Sequence, residues 1–124
     1  GQGGTTDLEA ELSKLVEVPV VDEKFPNQRT GRTYLYDTEV FVTVEKRHET
    51  RTQQKLESNE ARVSSGIATI FRRAEPAHFL EPTLATLRRQ IQAVMNETIG
   101  NDGEGKPIVN DVLIRKCVPF RADY

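Results

Sequence analysis

The chain has 124 residues, 36% of them hydrophobic and 29% charged, with a formal net charge of −2. That is one domain's worth of sequence around a modest core, without the general basic surface that nucleic acid attracts. A single cysteine excludes an internal disulfide and a four-cysteine zinc site, and no apolar run approaches the ~18–20 residues that span a bilayer.

The chain opens Gly1-Gln2-Gly3-Gly4 without a methionine. This reads as a cleaved tag remnant or an engineered end, with a processed natural terminus as the alternative. Residues 1–14 are assigned to that remnant or linker, carrying a short helix, and residues 15–124 to one domain. Leu8, Leu12 and Leu15 fall at helical spacing, Thr6 or Asp7 can cap them, and Glu9 and Glu11 suit the positive end of the helix dipole. So narrow a stripe is marginal unless it docks. Val16, Val18 and Val20 then alternate with Glu17 and Pro19, a strand that the missing Pro19 donor places at a sheet edge. Residues 25–31 carry turn chemistry in Pro26, Asn27 and Gly31. Residues 32–46 form the clearest strand. Tyr34, Tyr36, Val40, Val42 and Val44 share one face, and Asp37, Glu39, Thr43 and Glu45 the other.

From residue 49 to 74 the period changes to 3.6, with Leu56, Val63, Ile67, Ile70, Phe71 and Ala74 in one stripe. The first half, residues 50–59, is nearly all polar and is expected to face solvent or a partner. Pro76 stops this helix, and Pro82 suits the start of the next. Leu84, Leu87, Ile91, Val94, Met95 and Ile99 line the second helix, which Gly100 ends. Residues 101–106 read as a flexible connector. Residues 108–120 read as a last strand in which Cys117 falls out of phase, and a bulge near Arg115 and Lys116 restores it. The predicted class is α+β: a small, mainly antiparallel sheet of about three strands with two helices packed on one face.

Gly100, Gly105 and Lys106 stand at phosphate-loop spacing, but Pro107 replaces the Ser/Thr and the order runs from helix into strand, the reverse of what phosphate binding needs. Asn101, Asp102 and Glu104 lack the closing bidentate Glu of a calcium loop. His48 and His78 sit at opposite ends of the long helix and cannot share a metal. A Cys117–His48 nucleophile pair is a conceivable enzyme centre, against an inert packed thiol. Arg72, Arg73, Arg88 and Arg89 offer an anion-binding alternative, against solvated cations paired with acids such as Glu75. Leu35 and Phe41 interrupt the polar face of the sheet. Either the helix bearing Leu8 and Leu15 covers them, or they form a subunit contact.

Some of these stretches carry a likeness. Glu17-Val18-Pro19-Val20 leads through a loop into the strand at 34–46, and a long helix carries Arg62, Ile67 and Ile70. A second helix begins Phe79-Leu80-Glu81-Pro82-Thr83-Leu84, and the chain closes on Ile108-Val109-Asn110-Asp111-Val112-Leu113-Ile114. In this layout, from about Leu15 to Phe120, the chain resembles the periplasmic domain of the flagellar basal-body protein FliL. The resemblance implies a stomatin/prohibitin (SPFH)-like fold without enzymatic activity or cofactor. It implies a single-pass anchor on the periplasmic side of the bacterial inner membrane, through a helix preceding this segment. It also implies self-assembly, as in a ring, and contact with flagellar stator proteins in support of motility. Leu35, Phe41, Arg72, Arg73, Arg88 and Arg89 are the interaction candidates; nucleic acid is not an expected partner.

Overall fold

The computed structural model describes residues 2–122, with side chains from Asp7 onward. In chain order it contains α1 (Gln2–Ser13), β1 (Leu15–Asn27), β2 (Tyr34–Glu45), a 3-10 turn (Lys46–His48), α2 (Glu49–Ser58) and α3 (Glu60–Arg73). Two short 3-10 turns, Pro76–Leu80 and Pro82–Leu84, lead into α4 (Ala85–Ile99), and β3 (Asp111–Arg121) follows. The three strands form one antiparallel sheet in the order β1-β2-β3. The chain is thus a small α+β fold with helices packed against a three-stranded sheet.

The alternation on β2 decides where the core lies. Val40, Val42 and Val44 are fully buried. α3 packs on β1, α4 packs on β3, and the two helices meet. Gly66 sits at that meeting, where a Cβ would come within 3.3 Å of Val94 Cγ1. Ile67 and Phe71 from α3, and Leu87, Ile91 and Met95 from α4, complete the interior. At ~1.5–3 kcal/mol for each large side chain removed from water, this one layer supplies most of the drive to fold.

Several local features differ from the reading of the sequence. Residues 49–74 are two helices, because Asn59 (φ −121°, ψ 23°) leaves the helical region. Its Nδ2 donates to the Lys55 carbonyl at 2.8 Å, and its N–H also turns back on α2. A short amide side chain competing for backbone partners is a natural break. The polar α2 is also not free: Thr52 and Leu56 are buried, and α2 rests on β1 and α4. Residues 25–27 continue β1 instead of turning. Phe25 stacks on Phe71 at 4.9 Å, and Pro26 lies on an edge strand, where its missing N–H is tolerated. The reversal falls on the residues that follow, where Gly31 takes φ +81°. β3 starts at Asp111, and Ile108 and Val109 are buried just before it. The bulge does occur. Glu39 pairs with Lys116 and Val40 with Ile114, so Arg115 is the extra residue. That slip sets Cys117 opposite Thr38, packed against the core.

One polar side chain fastens the two layers. Asn27, only 3% exposed, donates from Nδ2 to the carbonyls of Phe71 (2.7 Å) and Ala74 (2.9 Å), while its Oδ1 accepts from the Arg29 N–H. At the end of α3 the Phe71 carbonyl also accepts the Ala74 N–H, and the end of β1 supplies the donor that the Ala74 carbonyl lacks where Pro76 stops the helix. Beside this clasp Phe79 stacks on Tyr36 at 4.0 Å. Asn27→Ala should lower the free energy of unfolding by about 1–3 kcal/mol, since it takes the side-chain donor from the Ala74 carbonyl and leaves that of Phe71 with the Ala74 N–H alone. Urea titration checks this, with Gln28→Ala, at an exposed neighbouring position, expected within about 0.5 kcal/mol of wild type.

Candidate interaction surface

The helices gather on one face of the sheet. Strand pairing fixes what stands on the other. Pro19 opposes Phe41, and Phe41 opposes Leu113. Pro26 opposes Leu35, and Leu35 opposes Phe120. Between these rows lie Asp22, Glu39 and Lys116, then Lys24, Asp37 and Val118. Lys116 reaches Asp37 at 3.1 Å and Asp22 at 3.7 Å. The Asp37 carboxylate holds the Lys116 ammonium above the ordinary lysine range. Arg115 spreads its guanidinium over the Phe41 ring, 4.9 Å from the centroid, and pairs with Glu17. The face is therefore a charged band with apolar residues to either side.

Leu35 and Phe41 stand on this face, half-buried. The covering helix weighed from the sequence is not over them. α1 docks on the turn after β2, through Lys46–Glu11 at 2.7 Å, Arg47–Glu9, and the Lys46 N–H on the Lys14 carbonyl. The Lys46 ammonium lowers the Glu11 pKa, and Glu11 raises that of Lys46. Leu113, Val118, Phe120 and the Phe41–Arg115 contact were missed in the sequence. The signal was the bulge itself, because once Arg115 is set aside, the parity of β3 puts Leu113, Lys116, Val118 and Phe120 together.

The four arginines do not act as one group. Arg72 and Arg73 are exposed at the end of α3, where cations complement the dipole, and Arg72 meets Thr69 on its own helix. Arg88 turns to β3. Its Nη2 donates to both Asp111 carboxylate oxygens at 2.9 Å, and its Nε to the Val112 carbonyl at 2.9 Å. Arg89 is exposed. The start of α4, where an anion would seek bare N–H groups, is filled by Glu81. Its carboxylate accepts from the Thr86 N–H and hydroxyl, which lowers its pKa. Thr83 and Leu84 just before it both have positive φ, near 55°. They border an open groove of about 380 Å³ shared with Arg88, Leu113, Ile114 and Arg115.

His48 and Cys117 lie apart. Cys117 pairs with Thr38, which precedes Glu45 by seven residues of β2, while His48 lies beyond Glu45. At ~3.3 Å per residue that is over 20 Å of strand. Burial raises the Cys117 thiol pKa. His48 lines a polar cleft of about 370 Å³ with Glu9, Glu45, Arg47, Asp102 and Lys106. His78 serves a turn: its Nδ1 accepts from the Glu75 N–H at 3.1 Å in a reciprocal cap. Among the described residues no three His, Cys, Asp or Glu side chains converge to hold a metal, and no helix is long and apolar enough to cross a membrane.

The stretch at 101–106 is fastened rather than loose. The Asp102 carboxylate accepts from the N–H groups of Lys106 (3.0 Å) and Glu104 (2.8 Å), which lower its pKa, and Gly105 turns the chain at φ +81°. No protein-family model matches the chain, and no curated protein is detectably similar to it in sequence.

Two expectations follow from these environments. Because the Asp102 pKa is depressed in the folded state, its stabilisation is full above the unfolded value of about 3.9 and is lost as pH falls through the folded one. The melting temperature of wild type should exceed that of Asp102→Asn at pH 7, and the gap should close below about pH 4. A thiol reagent should label Cys117 far more slowly in the folded chain than in urea; equal rates would contradict its packed, protonated state.

Proposed function

We propose that this chain is a non-enzymatic adaptor domain that self-associates through the open face of its sheet, an SPFH-like module of the FliL type. In this reading it stands on the periplasmic side of the bacterial inner membrane, carried by an anchor outside this segment, and supports the flagellar stator. The element order of two strands, paired helices and a closing strand supports the likeness. One observation carries the docking role. A sheet covered on a single face presents Leu35, Phe41, Val118 and Phe120 on the other. Large apolar residues grouped on one exposed face mark a contact surface.

The sheet edges favour a face over an edge. Pro19 and Pro26 remove two amide donors from β1, and its register breaks between Pro19 and Val21. On β3, Pro119 removes another, Arg115 bulges, and Arg88 occupies the Val112 carbonyl. These are devices that discourage strand addition. Contact through the face also agrees with a tether, since anchoring raises the effective concentration of weakly associating copies.

The combined variant Leu35→Ser, Phe41→Ser should sediment as monomer at concentrations where wild type forms larger species, while keeping the wild-type far-ultraviolet spectrum. Identical sedimentation of the two would remove the face from the account.

A further inference from the structure

Most carboxylates among the described residues are taken up within the chain. Glu9, Glu11, Glu17, Glu45, Glu75 and Asp111 each reach an arginine or lysine, while Glu81 and Asp102 accept backbone N–H groups. Glu57 and Glu60 are exposed and make neither an ion pair nor a hydrogen bond among the described residues. Glu60 stands in the first turn of α3, where the helix dipole favours an acid. Glu57 stands in the last turn of α2, whose negative end disfavours one. Residues that break a local rule with no compensation inside the fold mark sites of function.

The same two acids rim a cleft of about 240 Å³ between α2 and β1, with Gln53 beside them. Its floor is apolar: Val18 and Leu56 are buried, and Pro19 and Val20 lie alongside. Among the described residues no lysine or arginine lines it. Val20 comes to it through a bulge, since Pro19 pairs with Phe41 and Val21 with Val40, which leaves Val20 as the extra residue. The space is smaller than the ~300–1,000 Å³ of small-molecule pockets and suits a single side chain. β1 is an edge strand, but Pro19 lacks an amide donor and the bulge breaks the ladder, so an incoming chain gains little by adding as a strand here. What the cleft offers is an apolar trough with two negative charges on its rim.

We infer that this cleft receives a lysine or arginine side chain from a basic segment of a partner protein. The methylene stem lies on Pro19 and Val20 beside Leu56, and the cationic head reaches Glu57 and Glu60. Only a side chain with both parts answers both features of the cleft. An aliphatic residue would leave the acids unpaired, and a small cation would leave the trough wet. The charges steer the approach, and the stem contact sets which cation is held. The site sits at the β1 edge and shares no lining residue with Leu35, Phe41, Val118 or Phe120, so it stands apart from the open-face contact proposed above.

The test titrates the full chain with a capped peptide of alternating alanine and lysine, followed through backbone amide NMR shifts. The amides of Val18, Val20, Leu56, Glu57 and Glu60 should shift saturably at millimolar peptide. Glu57→Gln combined with Glu60→Gln should weaken binding about fivefold, as two exposed ion pairs would, with unchanged circular dichroism. Glu97→Gln, at an exposed acid of α4, should bind as wild type does. Two further peptides separate stem from charge: norleucine in place of lysine removes the charge, and diaminopropionate keeps it on a short stem. Both should bind several-fold more weakly than the lysine peptide. Absence of shifts along this seam overturns the inference, and so does undiminished binding by the double variant. Equal binding of the diaminopropionate peptide overturns it in favour of charge alone. The Leu35→Ser, Phe41→Ser variant should bind like wild type; loss of binding there would move the site to the open face and overturn this one.

Discussion

A sheet has two faces, and the described residues of this chain cover only one. The row Val40, Val42 and Val44 is fully buried, while Leu35, Asp37, Glu39 and Phe41 on the same strand point the opposite way. The burial of the valines fixes the register of all three strands, because a slip of one residue would exchange the two faces. Once the register is set, the composition of the other face is set with it. Its charges are arranged in opposite-sign contacts: Lys116 between Asp22 and Asp37, Arg115 with Glu17. Pairs so exposed contribute little to stability. Their effect is to keep the middle of the face wet while the two apolar rows remain available.

The covered side depends on polar fastenings at element ends. Asn27 takes up carbonyls at the end of α3, Glu81 caps α4, and Arg88 ties α4 to β3 through Asp111 and Val112. Each joins an element end to a neighbouring segment, so each sets direction as well as length. The aromatic group of Phe25, Phe71, Tyr36 and Phe79 packs beside the Asn27 fastening. Burial within it raises the Tyr36 pKa. This corner packs under the hairpin end of the sheet, and Leu35 and Phe120 stand on its reverse side.

Much of the fold was legible because two periods were clean. Alternation on β2 and the 3.6 spacing of Val63, Ile67, Phe71, Leu87, Ile91 and Met95 sorted the core correctly. The out-of-phase Cys117 located the bulge. Other features were hidden by long-range competition. Residues 25–27 have turn chemistry, but Phe25 and Asn27 gain more from Phe71 and Ala74 than a turn would offer. Leu56 and Val63, seven residues apart, keep the helical period across Asn59, so periodicity gave no notice of the kink. The candidate surface was half legible. Leu35 and Phe41 were visible as apolar residues on a polar face, whereas Phe120 and Val118 needed the corrected register of β3. The arginines looked like a cluster because they are close in sequence and paired; their partners lie on different elements.

We propose that the second face of this one-sided sheet is used for contact. Carbene footprinting at rising protein concentration reads that face side chain by side chain. Labelling of Leu35, Phe41 and Phe120 should be substantial at micromolar concentration and fall several-fold at millimolar, with Val40, Val42 and Val44 unlabelled throughout. Labelling that stays constant at Leu35, Phe41 and Phe120, or that reaches the valines as readily, would contradict it.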